Sequence, residues 1–263
     1  MRDFLEFDHD AAARERIAAD PIAKARELNK RDLPKRFYKE AIAKASDGVF
    51  AIELDGRPVL TPAKRKLVVP NKDLAERIAA EWNAQGEHID PSSMPATRLS
   101  NSVIDGVAER RDDVIADLVR FAGSDLLCYR AAGPTRLVER QTLVWDPVLD
   151  WVEDTFGARF LVAEGVMHQA QDPDAIERIA AAVAIDDPWR LAALHSVTTL
   201  TGSVLLALAF AHGRLDADAT WMAGMLDDLW SLEVWGHDEE AALRLGQRRR
   251  EFDAASAFLA ATA

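Results

Sequence analysis

The sequence predicts an α+β chain, with a β-containing N-terminal half followed by an all-helical C-terminal half. Three observations predict it. An alternating stretch around Asp55-Gly56 reads as a hairpin, helical spacing of apolar residues takes over after Asn71, and Asp-Pro helix starts recur beyond residue 135. The 263 residues are 49% hydrophobic and 29% charged, a globular profile with enough chain for one large domain or two ordinary ones. The expected division is an N-terminal arm at 1–30, an α+β domain at 31–124 and a helical domain at 125–263.

The elements follow in order. Residues 1–30 are charged and alanine-rich, which suits an arm or a loosely attached helix. Phe50, Ile52 and Leu54 alternate with other residues, Asp55-Gly56 is a turn signal, and Leu67 to Val69 favour a strand. Asn71 can cap a helix whose Leu74, Ile78 and Trp82 share one face. A loop bracketed by Pro91 and Pro95 leads into helix through Leu99 and Val103. A further helix carries Val114, Leu118 and Phe121 and stops at Gly123, and "DLLCYR" is an apolar strand or extended run. Beyond residue 135, Asp146-Pro147, Asp172-Pro173 and Asp187-Pro188 each suit an N-cap followed by proline at the first helical position. "TGSVLLALAFAHG" is apolar all round and reads as the central helix. "DADATWMAGMLDDLWSLEVWG" and "DEEAALRLGQRRREFDAASAFLA" predict two last helices.

Composition excludes several functions. A net charge of −12 disfavours nonspecific binding to nucleic acid or anionic lipid, since both need a positive surface. The longest apolar stretch falls short of the roughly 18 residues of a membrane span. The acidic start does not fit a signal or transit peptide. Cys128 is the one cysteine, which fits a reducing compartment, and a cytoplasmic location is expected. Neither G-x-x-x-x-G-K-[ST] nor G-x-G-x-x-G occurs, so no nucleotide site of those kinds is expected. No histidine pair stands at i, i+4 and H-E-x-x-H is absent, so no metal or other cofactor is expected. Cys128 sits in apolar company, as a core cysteine does, and Ser203 lacks a nucleophile elbow.

Two polar clusters remain. In "LWSLEVWGHDEEAAL", Gly236 ends one helix, and Asp238 or His237 can cap the next. Glu239 and Glu240 then fall in a first turn, where the helix dipole favours acids. The same residues leave two functional readings open. One is an enzyme using His237, Asp238, Glu239 and Glu240, with or without a metal. The other is a partner site, because Trp221, Trp230, Trp235, Met222 and Met225 precede the acids and Gln247 to Arg250 follow them; Trp, Met and Arg are enriched at interfaces. The second cluster is "EWNAQGEHIDPSSMPATRLSN", with Trp82, Gln85, Met94, Thr97, Arg98 and Asn101. It reads either as a loop tied down by local capping or as a recognition loop.

Taken together, these stretches resemble a known family: the assembly chaperones for the α subunit of the ATP synthase F(1) head, found in mitochondria and related bacteria. The matching segments run in order as "KRFYKEA" at 35–41, "LDGRPVLTPAKRKLVVP" at 54–70, "LAERIAAEWNAQGEHIDPSSMPATRLSNSVID" at 74–105, "DLLCYR" at 125–130, "ERQTLVWDPVLDW" at 139–151 and "LWSLEVWGHDEEA" at 229–241. The resemblance spans roughly residues 33–259, and "EWNAQGEHIDPSSMPATRL" is its most specific part. It implies a small α+β domain joined to a helical domain, no enzymatic activity, and a chaperone that is a monomer when free. Its partner would be the unassembled F(1) α subunit, whose β-facing surface it would shield. The acid implied in subunit binding matches Glu240, with Glu239 adjacent. Asp238, Trp235, Trp230, Trp82, Met94 and Arg98 complete the expected contact set. Two departures stand out. Mitochondrial members begin with a targeting peptide and this chain does not, which points to a bacterial cytoplasm. No glutamine stands near Ser231, where the pattern calls for one.

Overall fold

The structure is a computed structural model that describes residues 33–165, 167–236 and 239–262. The arm expected at 1–30, and His237 and Asp238, lie outside the described residues. The α+β layout is as the sequence predicts, a small sheet followed by helices.

Strands β1 (Ala41–Ser46) and β2 (Val49–Leu54) pair antiparallel, from Ala41 opposite Leu54 to Ser46 opposite Val49. Asp47-Gly48 joins them with φ of 48° and 83°, and Asp55-Gly56 repeats the geometry at 48° and 78° before β3 (Arg57–Pro58). Positive φ at both positions is what a two-residue hairpin turn with the right twist needs. β4 (Val68–Val69) pairs with Phe50-Ala51 of β2. The sequence reading located β2 and its turn but not β1, because Ala41–Ser46 holds three alanines and a lysine, weak strand formers. Pairing with β2 along its whole length and the Asn83 amide at Ala41, not propensity, hold β1 in place, since Ala41 is its one buried residue.

That helix is α1 (Lys72–Asn83). The Asn71 side chain accepts from the Asp73 N–H at 2.8 Å, as expected of its cap, and Leu74 and Ile78 are buried under Ile52 and Val69 of the sheet. At its end, the Asn83 amide donates to the Ala41 carbonyl and accepts from the Ala41 N–H, both at 2.8 Å, filling one rung beside β1. α2 (Pro95–Ser102) runs into a π-helical turn at Val103–Val107, and α3 (Arg111–Ala122) ends at Gly123.

"DLLCYR" splits into a 3-10 turn at Leu126–Cys128 and β5 (Tyr129–Arg130), which pairs in parallel with β6 (Ala163–Glu164). Asp125, fully buried, accepts from the Leu127 and Leu205 N–H groups at 3.1 Å each. Burial pushes its carboxyl up to about 6 against these bonds.

One predicted helix start fails. Asp146-Pro147 lies inside α4 (Thr135–Phe156) instead of opening it. Leu143, whose carbonyl loses its partner to the proline, is 77% exposed and open to solvent. Packing carries the helix through: Trp145 is fully buried and donates from Nε1 to the Ala223 carbonyl at 2.9 Å. Asp146 pairs with buried Arg130 at 2.8 Å rather than capping. The other two starts hold. Asp172 accepts from Asp174 N–H at 3.0 Å before α5 (Pro173–Val183), and Asp187 from Trp189 N–H at 2.8 Å before α6 (Pro188–Thr201). α7 (Val204–Ala211) is the central helix, with Val204 through Ala209 all buried.

The helix expected over 216–236 is two, α8 (Ala217–Gly224) and α9 (Leu226–Trp235), broken at Met225. A Cβ on Gly224 would lie 2.8 Å from the Thr201 Cβ, so α8 and α6 touch backbone-close there. α10 (Glu239–Ala261) closes the chain; Phe252, Phe258 and Leu259 are buried in its second half, and Arg98 of α2 pairs with its Glu251 at 2.7 Å.

Candidate functional site

The helical hairpin of α9 and the first half of α10 contributes little to the core. α9 buries only Leu226 among its residues, and every buried residue of α10 lies at Phe252 or beyond. Gly236 ends α9 with φ 88° and its N–H on the Leu232 carbonyl at 3.1 Å. A Cβ there would meet nothing within 4 Å, so glycine is needed for the dihedral rather than for space. Immediately before it, Trp235 is 85% exposed, and Val234 and Leu243 expose about half their surface. Trp235 is therefore not part of a core stripe, and with two aliphatic residues of the same hairpin it leaves apolar surface exposed.

Polar bonds fix the hairpin without covering it. Arg140 of α4 pairs with Glu233 at 2.9 Å. Arg248 pairs with Asp228 at 3.2 Å and donates to the Leu200 carbonyl at 2.7 Å. Glu239 and Glu240 stand exposed in the first turn of α10, as the helix-start reading expects, and Glu240 pairs with Arg244 one turn on at 2.9 Å. Between the helices runs a groove of about 370 Å³, walled by Leu232, Trp235, Ala241 and Leu245 and edged by Arg244 and Arg248.

The expected contact set divides. Trp235, Glu239 and Glu240 are exposed on this hairpin, whereas Trp230, also on α9, is half-buried against the core. Trp82, Met94 and Arg98 sit elsewhere, in a region built mainly to hold its own loop. Met94 is 2% exposed and belongs to the core, so its side chain does not reach a partner in this conformation. Trp82 is half-buried, edge-on to Tyr38 at 5.6 Å, with the Tyr38 hydroxyl donating to the Trp82 carbonyl at 2.7 Å. Arg98 is exposed but paired to Glu251, eleven residues beyond Glu240 and about 16 Å along the helix.

Glu81 is the residue the sequence reading passed over in that region. Its carboxylate accepts from the Ala96 N–H at 2.7 Å, the Thr97 N–H at 2.8 Å and the Thr97 hydroxyl at 2.7 Å, capping α2 from a distant helix. Burial raises its pKa against those bonds. Gln85 accepts from the Asp90 N–H at 2.7 Å and donates to Ser93 Oγ and the Glu81 carbonyl at 3.0 Å each. The tied-down-loop reading therefore describes residues 84–94. No local sequence rule points to Glu81, because it caps a helix fifteen residues away. Val234 and Leu243 were also passed over. Their signal was present: apolar residues at 241, 243 and 245 cannot all lie on one buried face of a helix.

The other chemical candidates have structural partners. The Cys128 thiol is buried and pushed up by that burial, with nearby Asp125 adding to it. His195 Nε2 lies 2.7 Å from Asp117, which also binds Arg120, beside a mixed-charge cleft of about 460 Å³. His212 packs on the rings of Trp151 and Phe156. Among the described residues, no three His, Cys, Asp or Glu side chains converge as a metal site requires.

Comparison with known proteins gives this hairpin its context. The family model described as ATP12 chaperone protein matches residues 35–153. The crystal structure of the Atu1473 protein from Agrobacterium tumefaciens superposes with a TM-score of 0.81 at 46% identity, over 93% of this chain and 92% of that one. Atp12 from Paracoccus denitrificans superposes at 0.77 with 39% identity, over 88% of this chain and 99% of its own. The chain belongs to the ATP12 chaperone family. Its likeness extends to the mitochondrial protein atp12 of Schizosaccharomyces pombe, 25% identical over 79% of this chain and 75% of that protein. The ATP12 family model stops at residue 153, before the hairpin, while the superpositions with the two bacterial structures cover about nine-tenths of the chain. Membership in a family of chaperones favours the partner reading of the Trp235 hairpin over the enzyme reading.

Proposed function

We propose that this ATP12 family member binds the free α subunit of the ATP synthase F(1) head, shields the surface that later faces the β subunit, and so promotes F(1) assembly. The observation that carries the reading is Trp235, 85% exposed on the hairpin that also exposes Val234, Leu243, Glu239 and Glu240. An unassembled subunit of an obligate ring displays a large apolar interface, and reversible cover lowers the concentration of the aggregation-prone species. The contact set is Trp235, Glu239 and Glu240 on the hairpin, with Asp238 between Gly236 and α10 in the sequence and with Arg98 of α2, paired to Glu251 further along α10. Trp230 and Trp82 support it from half-buried positions. The free chaperone is a monomer acting in a bacterial cytoplasm; no described helix is long and apolar enough to cross a membrane.

The test is co-purification of the full chain with its organism's F(1) α subunit, together with light scattering of α subunit refolding from denaturant. An equimolar complex and suppressed scattering are expected. A folded chaperone that forms no complex with the α subunit from low to moderate salt refutes the proposal.

A further inference from the structure

Along α10, Ala241, Leu245 and Arg248 line the groove, and Phe252, one turn further on, is fully buried. The four positions fall at helical spacing on one face. Three are apolar, as a helix lying on its neighbours requires, and the fourth is an arginine. Opposite, α9 presents Leu232 and Trp235 as its apolar wall and Asp228 as its charge. Asp228 and Arg248 therefore stand at the core end of the hairpin, and Trp235 and Ala241 at the end next to Gly236. Arg244, at the edge, is engaged by Glu240 of its own helix.

Arg248 reaches two other helices. One terminal nitrogen donates to Asp228 of α9 at 3.2 Å and the other to the Leu200 carbonyl at 2.7 Å. Leu200 lies in the last turn of α6, where carbonyls find no N–H within their own helix and the dipole favours a cation. α6 is anchored in the core by Leu191, Leu194 and Val197, all fully buried. Among the described residues, Asp228–Arg248 is the ion pair that joins α9 to α10. A guanidinium fork held by two acceptors keeps a fixed position. Both charges stay hydrated, since 42% of the Arg248 side chain and 59% of the Asp228 side chain are exposed. Hydrated charge at this level keeps the apolar walls from closing on each other, because closure would strip its water.

We infer that Arg248 is a positioning residue that props α9 and α10 apart from the end of α6 and so presents Trp235 to the partner subunit. With an apolar residue at 248 the stripe on α10 is continuous, and Leu232 and Trp235 close onto Ala241 and Leu245. Trp235 is then spent inside the protein instead of on the partner. The inference deepens the proposed function and rests on its placement of the partner at the hairpin, while the propping itself can be measured with no partner present.

Fluorotryptophan incorporated in the full chain labels its seven tryptophans for fluorine NMR, and Trp235→Phe assigns the line of the hairpin. The shift of that line between water and heavy water reads the exposure of Trp235. Arg248→Met is the main variant. Asp228→Asn, which weakens the α9 attachment at an exposed position, carries the test if Arg248→Met lowers the melting temperature. The expected result is a solvent shift at Trp235 that falls by about half or more, with α-subunit binding weakened at least about tenfold in calorimetric titration. In a Trp235→Ala background, Arg248→Met should weaken binding by no more than about twofold further, because the two residues act through one contact. An unchanged solvent shift in both variants would overturn the positioning role whatever happens to binding. Losses that simply add in the double variant would also overturn it, since Arg248 would then touch the partner itself. A wild-type chain that fails to bind the α subunit, with the solvent shift still falling in the variants, would overturn the α-subunit reading and uphold the prop.

Discussion

Trp235→Ala separates a binding surface from a structural one. A tryptophan side chain presents about 150–250 Å². With 85% of the residue exposed, about 130–210 Å² remains to be covered by a partner. At about 25 cal/mol per Å² the ceiling is about 3–5 kcal/mol. Truncations of such anchors commonly cost 2 kcal/mol or more, so the expected loss of affinity for the α subunit is about 2–4 kcal/mol, or about 30- to 1,000-fold in Kd. The free protein should hardly notice. Trp235 is the last residue of α9, and substitutions at such exposed positions change stability by about 0.5 kcal/mol or less. Calorimetric titration with purified α subunit and a thermal melt of the same sample measure both. A folded variant that binds within about threefold of wild type would refute the argument, as would a large drop in melting temperature with binding intact.

Three other perturbations probe different parts of the structure. Glu240→Lys should weaken α-subunit binding by about 2–5 kcal/mol, the range for breaking an interfacial charge pair, and lower stability by about 0.3–1 kcal/mol through the helix terminus; titration and melts on one preparation check it. Glu81→Ala leaves the Ala96 and Thr97 donors unpaired and should cost about 1–3 kcal/mol, seen in urea unfolding and in faster amide exchange at the start of α2. The Asp117 carboxyl is held low chiefly by its bond to His195, with Arg120 adding to it. A depressed carboxylate stabilises the fold above its unfolded value and loses that contribution as pH falls through the folded one. His195→Ala should therefore flatten the acid side of the stability curve between about pH 5 and 2, read from urea midpoints across that range.

Much of this architecture is legible from one sequence, and the exceptions have physical causes. Caps at Asn71, Asp172 and Asp187 were readable because a cap is a local bond between a side chain and N–H groups two or three residues on. Asp146-Pro147 has the same signature and failed, since Trp145 and Gln141 are buried by tertiary contacts to Ala223 and Asp227 that no local pattern records. β1 was invisible for the same reason: Ala41–Ser46 is a strand because β2 and Asn83 make it one. At the site, the glycine stop and first-turn acids were read correctly. That Trp235 is bare while Trp221, fourteen residues earlier, is 5% exposed depends on where α10 leaves the core.

The acids beside Trp235 also bear on how the chaperone lives with itself. A molecule that carries a bare tryptophan and an open apolar groove risks docking onto other copies of itself at cellular concentration. Two copies approaching hairpin to hairpin bring Glu233, Glu239 and Glu240 against their own counterparts, on chains that each carry a net charge of −12. Like charges meeting as the apolar surfaces are drying out oppose that encounter. Charge of one sign on every copy thus works against self-association at the bare Trp235 and leaves that surface open.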